Sequence, residues 1–502
     1  MAVTGDARPV RTYGNWRKPM SAGLGGLGSL GTAILLVGLV AVVIAIMVAG
    51  FAAAMLVALL LAAFLGVLVL RDRHGRSGLQ RVAARAGWMR ARASGTHLYR
   101  SGPLGRVPWG AFQLPGLAAP SRLSEWRDSY GRPFAMLHVP VTRHYTVVFA
   151  TEPDGASLVD EEQIDMWVAH WGAWLASLGN EPGVEAASVT VETAPDSGTR
   201  LRREVEAHSD PDAPDVARAM LRAVVDVYPE GSATVKAWVA VTFSEAARSG
   251  GRRRDPQAMG RELASRLPGL TQGLHSTGAG AARPVSAQEL CEVIRVAYDP
   301  PAARLIDTAR ATGQVPELTW NDVGPTATQA AWDHYRHDGA WSVSWSMTAA
   351  PRGEAFASVL GQLLAPHGDV DRKRVTLLYR PEDAAQAARV VEQDKRNADF
   401  RASASNRPTA RVLVAQRAAA ATAREEARGA GLVNFGAIVT ATVSGADRLP
   451  DARAAIDNLA ATARIQLRPV YGSQDSAFAA GLPLGLVLRR HLKVPTEIRE
   501  TL

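Results

Sequence analysis

The sequence predicts an α+β protein with an N-terminal two-helix transmembrane hairpin and two ferredoxin-like (split β-α-β) units, the second with a helical insertion. Three observations predict this architecture: residues 29–70 contain no charged side chain, strands and helices alternate from residue 131 onward, and the order β-α-β-β-α-β occurs in both 131–310 and 311–490. The remaining predicted segments are a basic cytoplasmic arm (1–28), a basic juxtamembrane segment (71–130) and a tail (491–502).

The uncharged run is long enough for two membrane crossings, because a bilayer core needs about 20 apolar helical residues, and Gly50 lies near its middle. A buried soluble hairpin would need polar residues on its outer face, and the apolar region of a secretory signal has only about 7 to 15 residues. Basic residues flank the run on both sides and should stay cytoplasmic. We therefore expect a multi-pass protein of the inner (plasma) membrane with both termini in the cytoplasm.

The net charge of +8 is unevenly distributed. Residues 1–110 contain thirteen Lys or Arg and two acidic residues, a charge of +11, which leaves −3 for the rest of the chain. The basic excess therefore belongs to the membrane flanks, where it would meet anionic headgroups, and we do not expect the body to bind nucleic acid directly. Cys291 is the only cysteine, which excludes an intramolecular disulfide and a multi-thiolate metal site.

The first unit shows short runs rich in β-branched residues, separated by helical patterns and turn signals. Trp167, Trp171 and Trp174 recur at helical spacing, which favours core packing over a sugar or partner platform. Its predicted elements are strands Phe134–Val139 and His144–Ala150, helix Asp160–Leu178, strands Val184–Glu192 and Arg200–Ala207, helix Pro214–Tyr228, strand Thr234–Phe243, and the added helices Pro256–Leu274 and Ser286–Tyr298.

The second unit repeats this order of elements. Its central hairpin is replaced by an insertion, 381–430, that reads as two helices broken at Arg407 and Pro408. We expect Trp332, Trp341 and Trp345 to pack in its core. The other predicted elements are strand Ala340–Thr348, helix Glu354–Leu364, strand Arg374–Arg380, strand Val433–Val443, helix Pro450–Ala463 and strand Ile465–Tyr471.

The sequence predicts a protein without enzymatic activity and without a cofactor. A phosphate-binding loop requires Gly-Lys-Ser/Thr, and none of the five lysines follows a glycine. His334, His337 and Asp338 have the best metal-like spacing, but their short polar segment predicts a solvated connection. Asp369 and Asp371 precede three basic residues, and we interpret them as part of a turn.

Four stretches of the chain are distinctive: RTYGNWRKP at 11–19, VDRKRVTLLYRPED at 370–383, LVNFGAIVTATVSG at 432–445 and ARIQLRPVYGSQDSAFAAGLPLGLVLRRH at 463–491. Together with the apolar run they resemble an actinobacterial membrane-protein family associated with conjugative elements and type IV-like secretion. The family looks like a PrgI-like two-helix subunit fused to the amino-terminal domain of a TraC/TrbE/CagE-type conjugation ATPase. Only seventeen residues follow Gly485, so we expect no motor domain.

The resemblance implies an inner-membrane scaffold that docks or pairs with a separate conjugation ATPase and other secretion subunits. Gln474, Asp475, Phe478 and Pro483 stand at motif positions and are the candidate partner contacts. The alternative is a capped strand-to-helix turn with Phe478 in the core. No catalytic residue is carried over, and a homo-oligomer remains open.

Two other interpretations remain. The stretch ARPVSAQELCEVI at 282–294 is similar to a segment of EccE, a two-helix membrane component of type VII secretion systems. The arginine-rich helices of 381–430 could contact DNA, but acidic residues interleave with the arginines, which favours solvated helix faces.

Overall fold

The computed structural model describes residues 11–14, 16, 28–69, 78–103, 105, 107, 110–153, 155, 159–196, 198–231, 233–246, 254–314, 316–351, 353–404 and 407–492. Most of the predicted arm 1–28 and nearly all of the predicted tail 491–502 lie outside these residues. The chain forms two compact units, which we call the body (Met1–Asn15, Leu98–Val470 and Gln474–His491) and the helical unit (Trp16–His97, Tyr471–Ser473 and Leu492–Leu502).

The described residues form helices and strands in the following order. The α-helices are α1 Gly28–Val69, α2 Gly78–Ala93, α3 Glu161–Asn180, α4 Thr199–His208, α5 Asp215–Gly231, α6 Pro256–Gln272, α7 Ala287–Tyr298, α8 Ala302–Ala311, α9 Gly361–Leu364, α10 Ala384–Ser403, α11 Ala410–Ala427, α12 Leu449–Thr462 and α13 Gln474–Ala480. The strands are β1 Leu98–Arg100, β2 Arg122–Arg127, β3 Pro133–Val139, β4 His144–Glu152, β5 Val184–Pro195, β6 Ala233–Ser244, β7 Ala281–Pro284, β8 Ala327–Ala330, β9 Tyr335–His337, β10 Ala340–Ala349, β11 Arg372–Pro381, β12 Val433–Val443 and β13 Gln466–Pro469.

The apolar run forms a single helical element, α1. Among the described residues one helix, over Gly31–Gly66, is long and apolar enough to cross a membrane, with a mean hydropathy of 3.1. The prediction of two separate transmembrane helices is therefore wrong, and a multi-pass arrangement is not supported. The physical reason is that no polar loop divides the run, which stays helical on both sides of one residue, Gly50.

Helix α1 is kinked at Gly50, which has φ 81° and ψ 178°. Glycine adopts a positive φ without the steric penalty of a Cβ. Leu61 packs against Gly38, where an added Cβ would lie only 2.4 Å from Leu61 Cδ1. Since residues this far apart on a straight helix would be separated by about 34 Å, the bend brings the two arms of α1 together.

The body contains one antiparallel sheet of 13 strands within the described residues. The strand order is β1-β8-β9-β10-β12-β11-β5-β6-β4-β3-β2, with β13 also paired to β10 and β7 to β4. The predicted fold class, two separate ferredoxin-like units, is therefore wrong. Strands β5 and β11 would have been edge strands of those units, but they pair with each other from Thr193 opposite Lys373 to Ala187 opposite Tyr379. Pairing satisfies the backbone groups that two exposed edges would have left open.

The two halves of the sheet share a strand order. On one side of the β5–β11 junction the order is β5-β6-β4 with β7 on β4, and on the other side it is β11-β12-β10 with β13 on β10. In both halves a helical pair joins the second and third of these strands in sequence, α4–α5 in one half and α10–α11 in the other. One helical pair follows the C-terminal end of β5 and the other follows the C-terminal end of β11. Because β5 and β11 run antiparallel, the two helical pairs lie at opposite ends of the sheet.

One predicted strand, Arg200–Ala207, is helix α4. Leu201 and Val205 are spaced by four residues, and the Arg, Glu and Ala residues around them are good helix formers. The helix predicted over Glu354–Leu364 is reduced to a 3₁₀ turn, Ala357–Leu360, followed by α9. Strands β1, β2, β7, β8 and β9 and helices α8 and α13 were not predicted, and β1 and β2 lie within the predicted juxtamembrane segment.

Both faces of the sheet are covered. Neighbouring residues of a strand point to opposite faces, so Val147 and Val241 pack with α3 and α6, while Val148 and Ala240 pack with α7 and the chain around α13. A third cluster packs β10, β11 and β12 against α12. The predicted core positions of Trp174 and Trp345 are confirmed.

Candidate docking site

The predicted partner contacts belong to the segment Gln474–Val487, which we call the closing segment. Gln474 is fully buried at its start. The Gln474 side chain accepts a hydrogen bond from Ser344 N at 2.8 Å, and its amide donates to Ser344 O at 3.2 Å. Ser344 lies in β10, between Ser342, where the pairing with β9 ends, and Trp345, where the pairing with β13 begins. Gln474 therefore completes backbone pairing in the gap between two short strands.

Phe478 is also fully buried. Its ring centroid lies 5.0 Å from that of Tyr298, 5.3 Å from that of Tyr335 and 4.7 Å from that of His337. The guanidinium carbon of Arg374 lies 5.5 Å from the ring centroid, within the range of a cation–π interaction. The structure thus places Phe478 in the core of the body, where a partner cannot contact it without rearrangement.

The closing segment crosses strands of both halves of the sheet. Thr376 of β11 donates a hydrogen bond to Gly481 O at 2.7 Å, and Thr242 of β6 donates to Gly485 O at 2.9 Å. Gly485 has φ +60°, and a Cβ there would lie 2.2 Å from Thr242 Oγ1. Pro483, between these two glycines, is buried. The glycines of the motif therefore allow the backbone to lie directly on a face made of threonines.

Asp475 is the most accessible of the four predicted contacts. Burial raises the pKa of its carboxyl, although the backbone N–H of Ser476 stabilises the charged form. A Cβ on Gly116 would lie 3.7 Å from Asp475 Oδ2, so the carboxylate faces the 3₁₀ turn Gly116–Ala118. Gln474 and Phe478 thus make contacts within the body, Pro483 is buried, and a direct partner contact by any of the four residues stays a prediction.

A buried ionic cluster holds the junction between the halves. Glu192 of β5 accepts hydrogen bonds from Arg374 Nε at 3.0 Å and Nη2 at 2.6 Å, and from Arg372 Nη1 at 2.5 Å. Burial alone would raise the pKa of Glu192, but the two adjacent guanidinium charges lower it to about 2. Sequence analysis missed this cluster because the residues lie 180 positions apart or more, and only the β5–β11 register brings them together.

The predicted histidine cluster is not a solvated connection. His337 is fully buried in β9, and its Nδ1 donates to Tyr298 O at 2.6 Å while its Nε2 lies 2.8 Å from Ser342 Oγ. Burial lowers its pKa to about 4, against the opposing effect of the Tyr298 carbonyl.

The other two residues of the predicted cluster have separate partners. His334 contacts Asp333, and Asp338 caps the turn by accepting a hydrogen bond from Thr326 N at 2.7 Å. No group of three or more metal-ligating side chains occurs within the described ranges.

Asp369 and Asp371 lie in the turn before β11, as predicted. Asp371 accepts a hydrogen bond from Ser444 N at 2.8 Å and pairs with Arg448. Asp369 lies 3.7 Å from the His367 ring. These contacts tie the start of β11 to the end of β12, which is a structural role.

An exposed apolar stripe that the sequence analysis did not identify lies on α5. The side chains of Val216, Met220, Val224 and Val227 are 72%, 66%, 52% and 66% exposed, with Leu221 beside them at 40%. We call these five residues the α5 face. They recur at i, i+4, i+8 and i+11, and helical residues at this spacing share one side. Among residues 215–227 of α5, Val225 is the one side chain that is buried.

The exposure of this stripe is not expected for a surface helix. An amphipathic helix normally turns its apolar stripe to the core and its charged residues to water. On α5 the charged Arg222 and Asp226 lie away from the apolar stripe, yet the stripe itself faces solvent. Contiguous exposed apolar surface of this kind marks protein or membrane interaction sites. The periodic spacing is visible in the sequence, but its direction is not.

Comparisons with known proteins give little information on function. A domain of unknown function, DUF8461, matches residues 20–80, which include the apolar helix α1. No curated protein matches the chain at a significant level.

Proposed function

We propose that the protein is a membrane-anchored, non-catalytic scaffold of a conjugative, type IV-like secretion system that docks a separate ATPase. The observation that supports this proposal is the α5 face, an exposed apolar stripe on a helix at one end of the sheet. Helices with anchors at i, i+4 and i+8 bind in apolar grooves of partner proteins. The resemblance to the conjugation family supplies the partner class, a TraC-type ATPase.

The membrane anchor in this proposal is α1, at the plasma membrane, with the body in the cytoplasm. Tyr13 precedes α1 and Ala355 follows it, and the two residues exchange backbone hydrogen bonds of 2.8 Å within the body. The chain before α1 and the chain after it therefore both contribute to the body. Helix α2 contains four arginines and no acidic residue, and such flanks stay cytoplasmic.

Affinity purification of the tagged full chain from membranes of its host tests the docking proposal. We expect a conjugation ATPase in the wild-type sample and a loss of about tenfold or more with Met220→Glu/Val224→Glu, because the charges would be buried against the groove. Arg222→Glu is the matched control: it lies two residues from Met220, about 200° around the helix, and should retain the ATPase.

Three results would refute this function. Recovery of the ATPase by the double variant at wild-type level would exclude the α5 face from the interface. Recovery of type VII core subunits instead would favour the EccE-like role. Self-association of the wild type that is lost in the double variant, measured by light scattering of the detergent-solubilised chain, would identify a second copy of this chain as the partner of the α5 face.

A further inference from the structure

The helices α10 and α11 form a hairpin whose charge is segregated along its length. The two helices pack most extensively with each other, through Ala387, Val391 and Ala398 of α10 and Ala419 of α11. The distal part, 395–417, contains six Lys or Arg and one Asp, whereas the proximal parts, 384–394 and 418–427, contain two Arg and four acidic residues. The acidic and basic residues that interleave in sequence are therefore separated in the folded hairpin, with +5 at the tip and −2 at the base.

Apolar side chains are exposed at the same end. Phe400 is 71% exposed and Val414 is 63% exposed, with Leu413 beside it. Phe400 lies three residues before the end of α10 and Val414 four residues after the start of α11, which places both about 5 to 6 Å from the helix ends next to the tip. Phe400 lies on the side of α10 opposite to the buried Ala398, and Val414 lies on the side of α11 opposite to the buried Ala419. Each side chain therefore points away from the other helix, and the two lie on opposite sides of the hairpin.

We infer that the tip of this hairpin, the described residues 395–404 and 407–417, binds an anionic lipid surface end-on. Apolar side chains at a similar depth on both sides of the hairpin fit a deformable layer that surrounds the tip, and insertion depths of about 5 to 10 Å are typical of such contacts. The positive charge of the tip complements anionic headgroups. A duplex nucleic acid would satisfy the arginines but offers no apolar surface to Leu413 and Val414. Helix α1 is independently suited to hold the chain at a bilayer.

The test uses the full chain reconstituted in liposomes, with a fluorophore attached at Ser403→Cys near the tip. Cys291 is buried and should stay unlabelled in the folded protein. We expect quenching by headgroup-attached nitroxide in phosphatidylcholine vesicles that contain phosphatidylglycerol, and its loss in pure phosphatidylcholine or in high salt. The matched control is Gln386→Cys at the base, about 25 Å away along α10, which should not be quenched.

Two sets of variants separate the contributions. Arg411→Glu/Arg417→Glu should abolish quenching in the anionic vesicles, because each arginine near an anionic surface strengthens binding about fivefold and charge reversal adds repulsion. Phe400→Ser should weaken quenching while leaving its salt dependence in place. These variants lie outside the α5 face, so the ATPase recovery that tests the proposed function should remain unchanged.

Three outcomes would overturn the inference. Equal quenching at positions 403 and 386 would show that the hairpin has no preferred end toward the lipid. Absence of quenching at 403 in anionic vesicles would exclude the contact. Salt-dependent binding of duplex DNA by the detergent-solubilised chain, lost with Arg411→Glu/Arg417→Glu and accompanied by no lipid quenching, would assign the tip to nucleic acid.

Discussion

Replacing Glu192 by Gln should destabilise the body by about 3 to 5 kcal/mol. The carboxylate is shared by Arg372 and Arg374, which donate to it at 2.5 to 3.0 Å. The variant would leave two buried guanidinium charges facing a neutral amide, and removing one partner of a buried ion pair costs about this much. The pKa of Glu192 gives an independent magnitude, because its displacement from 4.5 to about 2 corresponds to about 3 kcal/mol.

The pH dependence has a definite sign. The pKa of Glu192 is lower in the folded protein than in the unfolded chain, so the carboxylate contributes its full stability above about pH 4.5 and loses it as the pH falls toward 2. We expect the wild type to lose about 3 kcal/mol through this group in that window. The Gln variant cannot titrate there and should lack this component.

Urea unfolding of the full chain in detergent micelles, followed by tryptophan fluorescence, measures both effects. Asp215→Asn is the control, because this carboxylate is 93% exposed in its pair with Arg218 and such pairs contribute at most about 1 kcal/mol. A Glu192→Gln variant within 1 kcal/mol of the wild type at pH 7, or with the same loss of stability below pH 4.5, would refute the reasoning. Replacing all three residues of the cluster by apolar ones should recover most of the loss.

Three further predictions concern the closing segment and its surroundings. Phe478→Ala should lower the free energy of unfolding by about 3 to 5 kcal/mol, and Phe478→Leu by less; equal urea midpoints for wild type and Ala variant would contradict its core position. Gly485→Val should lower the thermal midpoint measured by circular dichroism, because of its positive φ and the 2.2 Å approach to Thr242; an unchanged midpoint would be inconsistent with this contact. The pKa of His337 is lowered from 6.5 to about 4, so its neutral form contributes about 3 kcal/mol above pH 6.5 that is lost toward pH 4. A His337→Gln variant should show a shallower loss of stability across this window in a urea titration, and a slope equal to that of the wild type would exclude the effect.

Much of the local structure could be predicted because its signals are local. Pro408 cannot continue a helix, and the break it predicts is found between α10, which ends at Ser403, and α11, which begins at Ala410. The helix predicted over Asp160–Leu178 is α3, shifted by two residues or fewer at each end. The error at Arg200–Ala207 was avoidable, since Leu201 and Val205 carry the helical spacing that the strand prediction overlooked.

The candidate sites were less predictable. The motif around Gln474 and Phe478 was recognised as distinctive, but its side chains are used within the body, where they join strands of both halves. The α5 face has a clear helical period in sequence, and only its exposure distinguishes it from a core-facing stripe. The basic tip of the α10–α11 hairpin is not evident in the sequence, because acidic residues of the base precede and follow its basic residues. Only the folded hairpin separates the two groups of charges.

The sequence by itself determined many of the elements: the apolar run of α1, the helical periods of α3, α5, α10 and α11, and the strands β3 to β6 and β10 to β13. The tertiary structure alone decided that β5 pairs with β11 to make one sheet, that Glu192 meets Arg374, and that the apolar side of α5 points outward. The reason is the range of the forces involved. Periodicity and turn chemistry act over a few residues, whereas strand pairing and helix orientation depend on hydrogen bonds and packing between residues up to hundreds of positions apart.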